Sequence, residues 1–174
     1  MERKWIDPMK ILFLCTDNYT RSIIAEFICK DYLRKNLISD VQVASAGIRA
    51  NSDISKYSDL HFKIMNSMNI DTSEFKRTQF DNEAFLKYDI IIGMSELHKE
   101  FIKNEYNKDI YLFNEVYKDQ STAINIGAPD SEDFEEKMRE LIIYFMDAMP
   151  EVISNLNHIH PFGTSPSINR EKGD

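Results

Sequence analysis

The sequence predicts an α/β fold in which a four-stranded parallel sheet carries helices on both faces. Short apolar segments alternate along the chain with segments whose apolar residues recur every three or four positions, the spacing of an amphipathic helix. One of the short segments, YDIIIGM at residues 88–94, is apolar almost throughout, which is typical of a strand covered on both faces. Alternating strands and helices joined by right-handed crossovers form such a sheet.

Each element is predicted from its own stretch of sequence. The predicted strands cover residues 10–15, 41–47, 88–94 and 109–113. The predicted helices cover residues 21–37, 57–68, 95–106 and 134–156. Pro150 is expected to kink or break the last helix, because proline removes a backbone hydrogen bond there.

The composition excludes several classes of protein. The 174 residues are 43% hydrophobic and 29% charged, which suits one globular domain. A net charge of −8 without a basic cluster argues against a nucleic-acid partner. No apolar run reaches the roughly 18 residues of a membrane span. Two cysteines and no apolar leader segment predict a reducing, cytoplasmic location.

The chain is predicted to have one folded domain between two short flanking segments. An N-terminal extension covers residues 1–8, the domain covers residues 9–157, and a loose tail covers residues 158–174. The tail is rich in Pro, Gly and Ser. Its His-x-His pair is interpreted as part of this tail and not as a metal site.

The segment after the first strand has the composition of an anion-binding loop. Cys15 ends the strand, TDNYT follows, and Arg21 and Ser22 begin the first helix. Ligands of parallel α/β sheets bind beyond the carboxyl ends of the strands. Backbone N–H groups of a loop that opens a helix attract anions there. Arg21 adds a planar guanidinium that can hold two phosphate oxygens at once.

Cys15 is therefore a candidate nucleophile. A helix N-terminus and a nearby cation both favour the thiolate form of a cysteine, and Ser22 is a candidate hydrogen-bond donor to it. A thiolate beneath a bound phosphate is placed to attack phosphorus and form a cysteinyl phosphate. A buried structural cysteine is the alternative, because the spacing Cys-x5-Arg is a weak motif without its strand and helix.

The residues around this loop form a longer pattern, in which Cys15, Asn18, Arg21 and Ser22 are followed by Ala25 and Glu26. The pattern resembles the signature of the low-molecular-weight protein tyrosine phosphatase family, Cys-x-Gly-Asn-x-Cys-Arg-Ser followed by Ala-Glu. The resemblance continues, over roughly residues 9–156, through Ser45-Ala46-Gly47, Met94, His98 and Pro129-Asp130.

This resemblance implies a flavodoxin-like fold and a phosphatase that acts on phosphotyrosine in proteins or on small aryl phosphates. By resemblance, Cys15 is the nucleophile, Arg21 clamps the phosphate and Ser22 stabilises the thiolate. Asn18 and Ser45 would brace the loop. The phosphate-binding loop would consist of Thr16, Asp17, Asn18, Tyr19, Thr20, Arg21 and Ser22. No metal and no cofactor is implied.

Asp130 matches the aspartate that serves as general acid in the family. The leaving oxygen needs a proton, and water must then be activated to attack the phosphoenzyme. Asp130 also precedes the last predicted helix, where aspartate is a favoured N-cap. The sequence leaves both roles open, and one residue could fill both.

Several residues depart from the family pattern. Asp17 replaces a glycine and brings negative charge to the loop, where it either opposes phosphate or points outward toward a cationic part of the substrate. Thr20 replaces the second cysteine of the loop, and by resemblance Phe75 replaces a histidine of the bracing network. Ser131 stands where aromatic residues often wall the substrate slot. Tyr19 either supplies that wall or narrows the slot.

Other functions remain as alternatives. Asp17 is compatible with a phosphate-binding or phosphoprotein-binding module that has lost much of its activity. A phosphoarginine phosphatase would have Thr where this chain has Tyr19. A thiol-based arsenate reductase would need further cysteines near the third strand, and the sequence has none there. A flavin-binding protein of similar topology would make the preparation coloured.

Overall fold

The structure, a computed structural model, describes residues 7–52 and 58–159 as a four-stranded parallel sheet with helices on both faces. The strands are β1 (Met9–Cys15), β2 (Val41–Gly47), β3 (Ile90–Gly93) and β4 (Tyr111–Leu112). The helices are α1 (Arg21–Lys35), α2 (Leu60–Ser67), α3 (Ala84–Lys87), α4 (Glu96–Tyr106), α5 (Phe113–Lys118) and α6 (Phe134–Ile159). The strand order is β2-β1-β3-β4.

Strand β1 lies at the centre of the sheet and sets the position of the loop that follows it. It pairs with β2 so that Cys15 faces Gly47, and with β3 so that Leu14 faces Gly93. A β-carbon on Gly47 would lie 2.6 Å from the Asn18 nitrogen, so this position accepts only glycine without a shift of the loop. The carboxyl ends of three strands therefore meet beside Cys15.

The alternation of β1 divides the core between the two faces of the sheet. Ile11, Phe13 and Cys15 point into the larger cluster, which includes residues of α1, α2, α5 and α6. Leu12 and Leu14 point into the smaller cluster with residues of α3 and α4. Burial of each large apolar side chain contributes roughly 1.5–3 kcal/mol. Both faces are thus covered, as the apolar third strand predicts.

Helix α6 differs from its prediction because it runs unbroken from Phe134 to Ile159 with Pro150 inside it. Of the kink or break expected at this proline, the break is therefore wrong. Met149, Val152 and Ile153 are buried on either side of the proline. Their packing offsets the roughly 3 kcal/mol that proline costs a helix interior. His158 and Ile159 extend the helix past residue 157.

Two short helices were missed, and several other elements are shorter than predicted, among them β3, β4 and α2. Helix α5 follows β4 directly, which leaves β4 only two residues long. Helix α3 has four residues, too few for an amphipathic period. Helix α2 begins at Leu60, and the predicted start at residue 57 lies outside the described residues, as do positions 1–6 and 160–174. In the described part of the chain no helix has both the length and the apolarity to cross a bilayer.

Candidate active site

The loop between β1 and α1 brings the predicted site residues together around the sulfur of Cys15. Ser22 Oγ lies 2.9 Å from Cys15 Sγ, and the Asn18 backbone N–H donates to the same sulfur at 3.3 Å. Asn18 adopts a left-handed backbone (φ 54°), which asparagine tolerates better than most residues and which turns its N–H inward. Donors aimed at the sulfur stabilise negative charge on it.

A chain of buried polar side chains holds this loop in place. Asn18 Nδ2 donates to Ser22 Oγ at 2.9 Å and to Ser45 Oγ at 2.8 Å. The Ser45 hydroxyl donates to the carboxylate of Glu26, and the Thr78 N–H donates to Asn18 Oδ1 at 2.7 Å. The sequence predicted bracing contacts for Asn18 and Ser45. Thr78 was missed, because its contribution is a backbone N–H that no side-chain pattern signals.

Arg21 is the first residue of α1 and is tied to a segment far along the chain. Its Nη1 donates to the carbonyl of Ile124 at 3.0 Å. The Ile124 N–H in turn donates to the carbonyl of Met94, at the end of β3, at 2.7 Å. One nitrogen of the guanidinium is therefore held by backbone. This fixes its orientation at the start of the helix.

Asp17 lies over the loop and does not point away from it. Its Oδ1 is 3.8 Å from Cys15 Sγ and accepts the Tyr19 backbone N–H at 3.3 Å. Its carbonyl accepts a hydrogen bond from Arg77 Nε at 2.7 Å. The left-handed residue of the loop is Asn18 and not Asp17. The Asp17 carboxylate thus accepts the Tyr19 N–H, which would otherwise be available to a bound anion.

Tyr19 belongs to an aromatic cluster at the edge of the loop. Its ring centroid lies 5.5 Å from that of His61 and 5.7 Å from those of Phe62 and Phe75. The Arg77 guanidinium lies 5.9 Å from the Tyr19 ring centroid. Phe75, where the family pattern has a histidine, packs here and makes no polar contact through its ring. The Tyr19 side chain is half-buried and held on one side by this cluster.

Two buried histidines contact the loop, of which His98 was part of the family pattern without a predicted role and His61 was missed. His61 Nε2 lies 2.7 Å from the carbonyl of Tyr19, and His98 Nε2 lies 3.1 Å from Thr16 Oγ1. Burial lowers the pKa of His61 to about 4, and burial followed by the Arg21 charge lowers the pKa of His98 to about 3. Both rings are therefore neutral at pH 7. Two signals pointed to His98, its place in the family pattern and its spacing three residues after Ser95, which resembles a capping box.

Asp130 is exposed in the segment that joins α5 to α6, close to the start of α6. Among the described residues it makes no hydrogen bond to Cys15 or Arg21. Because α6 begins at Phe134, the N-cap position belongs to Asp133, and the alternative role of Asp130 as N-cap is wrong.

Thr20 precedes α1, where its carbonyl accepts the Ile24 N–H at 2.8 Å and its side chain makes no capping bond.

The remaining cysteine takes no part in this site. Cys29 is fully buried in α1, and burial raises the pKa of its thiol far above the ordinary range. Both cysteines are free thiols. Cys29 is therefore a core residue.

The chain is thus a parallel α/β protein with a cysteine at the end of its first strand and an arginine at the start of the next helix. Residues 10–158 match the sequence profile of the low molecular weight phosphotyrosine protein phosphatase family. The chain belongs to that family. It is similar to the low molecular weight protein-tyrosine-phosphatase PtpB of Staphylococcus aureus, with 32% identity over 138 residues, 77% of this chain and 92% of that protein.

Solved structures of other proteins have a similar fold. A mutant of YwlE from Bacillus subtilis has a TM-score of 0.74 at 18% identity and covers 86% of this chain and 99% of its own. The Drosophila arginine phosphatase DARP has a TM-score of 0.70 at 18% identity, covering 85% and 98%. The low molecular weight protein tyrosine phosphatase of T. tengcongensis has 0.69 at 22%, covering 84% and 98%. The predicted family and the predicted fold are confirmed.

Proposed function

We propose that this chain hydrolyses phosphate monoesters of tyrosine in proteins, or small aryl phosphates, through a phosphocysteine at Cys15. The observation that carries this proposal is the environment of the Cys15 sulfur. The Ser22 hydroxyl and the Asn18 N–H converge on it at 2.9 and 3.3 Å, at the end of the central strand and beside the start of α1. This arrangement supports a thiolate and an anion at the same place.

In the first step the Cys15 thiolate attacks phosphorus and the bond between phosphorus and the leaving oxygen breaks. Arg21 and the loop amides bind the equatorial oxygens, whose charge is spread in the transition state. Asp130, protonated, gives its proton to the leaving oxygen. Nothing else is needed to release the phenol.

In the second step water attacks the phosphocysteine. The Asp130 carboxylate takes a proton from that water, the bond between sulfur and phosphorus breaks, and inorganic phosphate is released. The electron pair returns to sulfur as a thiolate, which Ser22 stabilises by donating a hydrogen bond. Asn18 and Ser45 keep that hydroxyl in place through the contacts described above.

Asp130 is tied to the same site through the chain. It follows Ile124 by six residues, and Ile124 is the residue whose carbonyl holds the Arg21 guanidinium at 3.0 Å. Asp130 and the residue that holds the Arg21 guanidinium therefore lie in one segment. This supports Asp130 as the group that reaches the leaving oxygen when substrate is bound.

The substrate class rests on the family and on Tyr19. The relative from S. aureus is named a protein-tyrosine-phosphatase, whereas DARP is named an arginine phosphatase. An aromatic cluster around Tyr19 offers a flat wall beside the loop, which suits an aryl group. We therefore place phosphotyrosine ahead of phosphoarginine, in a cytoplasmic setting consistent with two free thiols.

A second candidate is a phosphate-binding module of low activity, and Asp17 favours it. The carboxylate accepts the Tyr19 N–H and lies 3.8 Å from the sulfur, so it competes with a phosphoryl group for the loop. Substrate turnover distinguishes the two candidates.

The test is a turnover assay on 4-nitrophenyl phosphate, a phosphotyrosine peptide and a phosphoarginine substrate at equal concentration. We expect release of phosphate from the first two, abolished by Cys15→Ser and retained by Cys29→Ala, which removes the buried core thiol instead. Binding of phosphate without turnover would favour the module of low activity. Preferred release from phosphoarginine would overturn the substrate assignment.

A further inference from the structure

The tautomer of His98 follows from its backbone contacts. The Nδ1 atom of His98 accepts the N–H groups of Met94 at 3.2 Å and Ser95 at 3.1 Å. A ring nitrogen that accepts two N–H groups carries no hydrogen, so the hydrogen of the neutral ring is on Nε2. His98 is fully buried, and its low pKa of about 3 keeps the ring in this neutral form.

The direction of the Thr16 hydroxyl follows from that tautomer. His98 Nε2 is 3.1 Å from Thr16 Oγ1, and because the nitrogen donates, the oxygen accepts. The hydroxyl hydrogen of Thr16 is then turned away from His98. Within residues 7–52 and 58–159, His98 is the one side-chain partner of this oxygen. Thr16 is partly exposed and is directly bonded in the chain to Cys15.

Met94, which holds the ring of His98, is also connected to Arg21 through Ile124. The N–H of Met94 donates to His98, and the carbonyl of Met94 accepts the N–H of Ile124, which holds Arg21. The end of β3 thus fixes two side chains of the loop, Thr16 through a histidine and Arg21 through a carbonyl. Both side chains carry hydrogen-bond donors, and they stand at the two ends of the loop segment that follows Cys15.

We propose that the Thr16 hydroxyl donates a hydrogen bond to the bound phosphoryl group and that His98 is the positioning residue that aims it. This inference rests on the proposed function, because it assigns a further contact to the same phosphoryl group. The loop amides supply backbone donors and Arg21 supplies charge. Thr16 adds a neutral side-chain donor whose oxygen is held by His98 and whose hydrogen is left free for the ligand, so little ordering is needed on binding.

The test compares tungstate binding to wild type, Thr16→Val and Thr16→Ser by titration calorimetry. Valine has nearly the shape of threonine and lacks the hydroxyl, whereas serine keeps it. We expect Thr16→Val to weaken tungstate binding roughly 10- to 100-fold, the loss typical of a hydrogen bond to a charged group. Thr16→Ser should restore binding to within a few-fold of wild type.

His98→Asn tests the positioning role, because asparagine can still accept the Met94 and Ser95 N–H groups but has no donor at the position of Nε2. His98→Asn should weaken tungstate binding, as Thr16→Val does. The double variant His98→Asn with Thr16→Val should bind tungstate no more weakly than the weaker of the two single variants. Losses that add would overturn the coupling.

The proposal would be overturned if Thr16→Val bound tungstate as tightly as wild type, whether or not turnover falls. It would also be overturned if the wild type bound no tungstate. Because tungstate binding requires no turnover, normal binding by a protein that hydrolyses no phosphate ester would count against the proposed function and not against this contact.

Discussion

The carboxylate of Asp17 lies beside the Cys15 sulfur and accepts the amide of Tyr19. A phosphoryl group entering the loop would meet this negative charge and compete for the same N–H. At an effective dielectric near 20, two unit charges about 7 Å apart repel by a few kcal/mol, and less where water screens them. Asp17 is half-buried, so part of that repulsion is screened.

Asp17→Asn should therefore raise kcat/KM on a small neutral aryl phosphate. Asparagine keeps the oxygen that accepts the Tyr19 N–H and removes only the charge. We expect a gain of up to about tenfold at low salt, which corresponds to about 1.4 kcal/mol. The gain should shrink as ionic strength rises, because salt screens the repulsion. An unchanged value at low salt would show that Asp17 does not oppose phosphate.

Asp130→Asn should slow turnover strongly for substrates with basic leaving oxygens and weakly for those with acidic ones. A general acid matters most when the leaving oxygen needs a proton, and such groups typically contribute about 10²- to 10⁴-fold. The measurement is kcat across a series of substituted phenyl phosphates, with Asp133→Asn as the neighbouring control. Equal losses across the series would contradict the acid role.

The junction of β1 with β2 shows how an element positions the chemistry. Gly47 faces Cys15 across the two strands, and the loop passes so close that a β-carbon at Gly47 would touch the backbone of Asn18 at 2.6 Å and Asp17 at 2.7 Å. The obstacle is backbone, which cannot rotate aside. The second strand therefore holds the loop by contact as well as by the Ser45 hydrogen bond.

Gly47→Ala should reduce activity by more than tenfold and lower the free energy of unfolding by about 1–3 kcal/mol, the typical cost of overpacking. Gly127→Ala is the matched control, since a β-carbon there would meet only the Lys137 side chain at 3.8 Å. Kinetics and urea unfolding of both variants are the measurements. Equal behaviour of the two variants would mean that the loop is not held by this contact.

The elements differ in how well the sequence predicted them. The loop from Cys15 to Ser22 was predictable because its residue types and spacing are local. His98 was not given a role, because its partner Thr16 is 82 residues away in the chain. The last helix was predicted to kink or break at Pro150 because of the low helix propensity of proline, whereas packing against the core keeps the helix unbroken there. The general-acid role of Asp130 stays a prediction, since it depends on contact with the leaving oxygen of a bound substrate.

Across the whole molecule, the two buried histidines link the site to the stability of the fold. Their pKa values, about 4 for His61 and about 3 for His98, lie below the ordinary 6.5 because burial disfavours the charged ring. The unfolded chain therefore binds protons that the folded protein does not. Stability from both groups is fully present above pH 6.5 and is lost as pH falls toward the folded values.

The free energy of unfolding should thus fall as pH is lowered from about 6.5 to 5, by up to about 1.4 kcal/mol per pH unit for each histidine. Urea unfolding at several pH values measures the slope, and His98→Asn should remove its share of it. This window lies above the range in which most carboxylates titrate. A flat profile between pH 7 and 5 would contradict the burial of neutral rings.

The most direct test of the central claim is to trap the phosphoenzyme. Wild type mixed with 4-nitrophenyl phosphate and quenched within milliseconds should carry phosphate on the peptide that contains Cys15. Cys29→Ala should form the same phosphate adduct. Cys15→Ser should form no adduct at residue 15 that turns over. Steady release of phosphate without such an adduct, or with the adduct on another residue, would contradict Cys15 as the nucleophile.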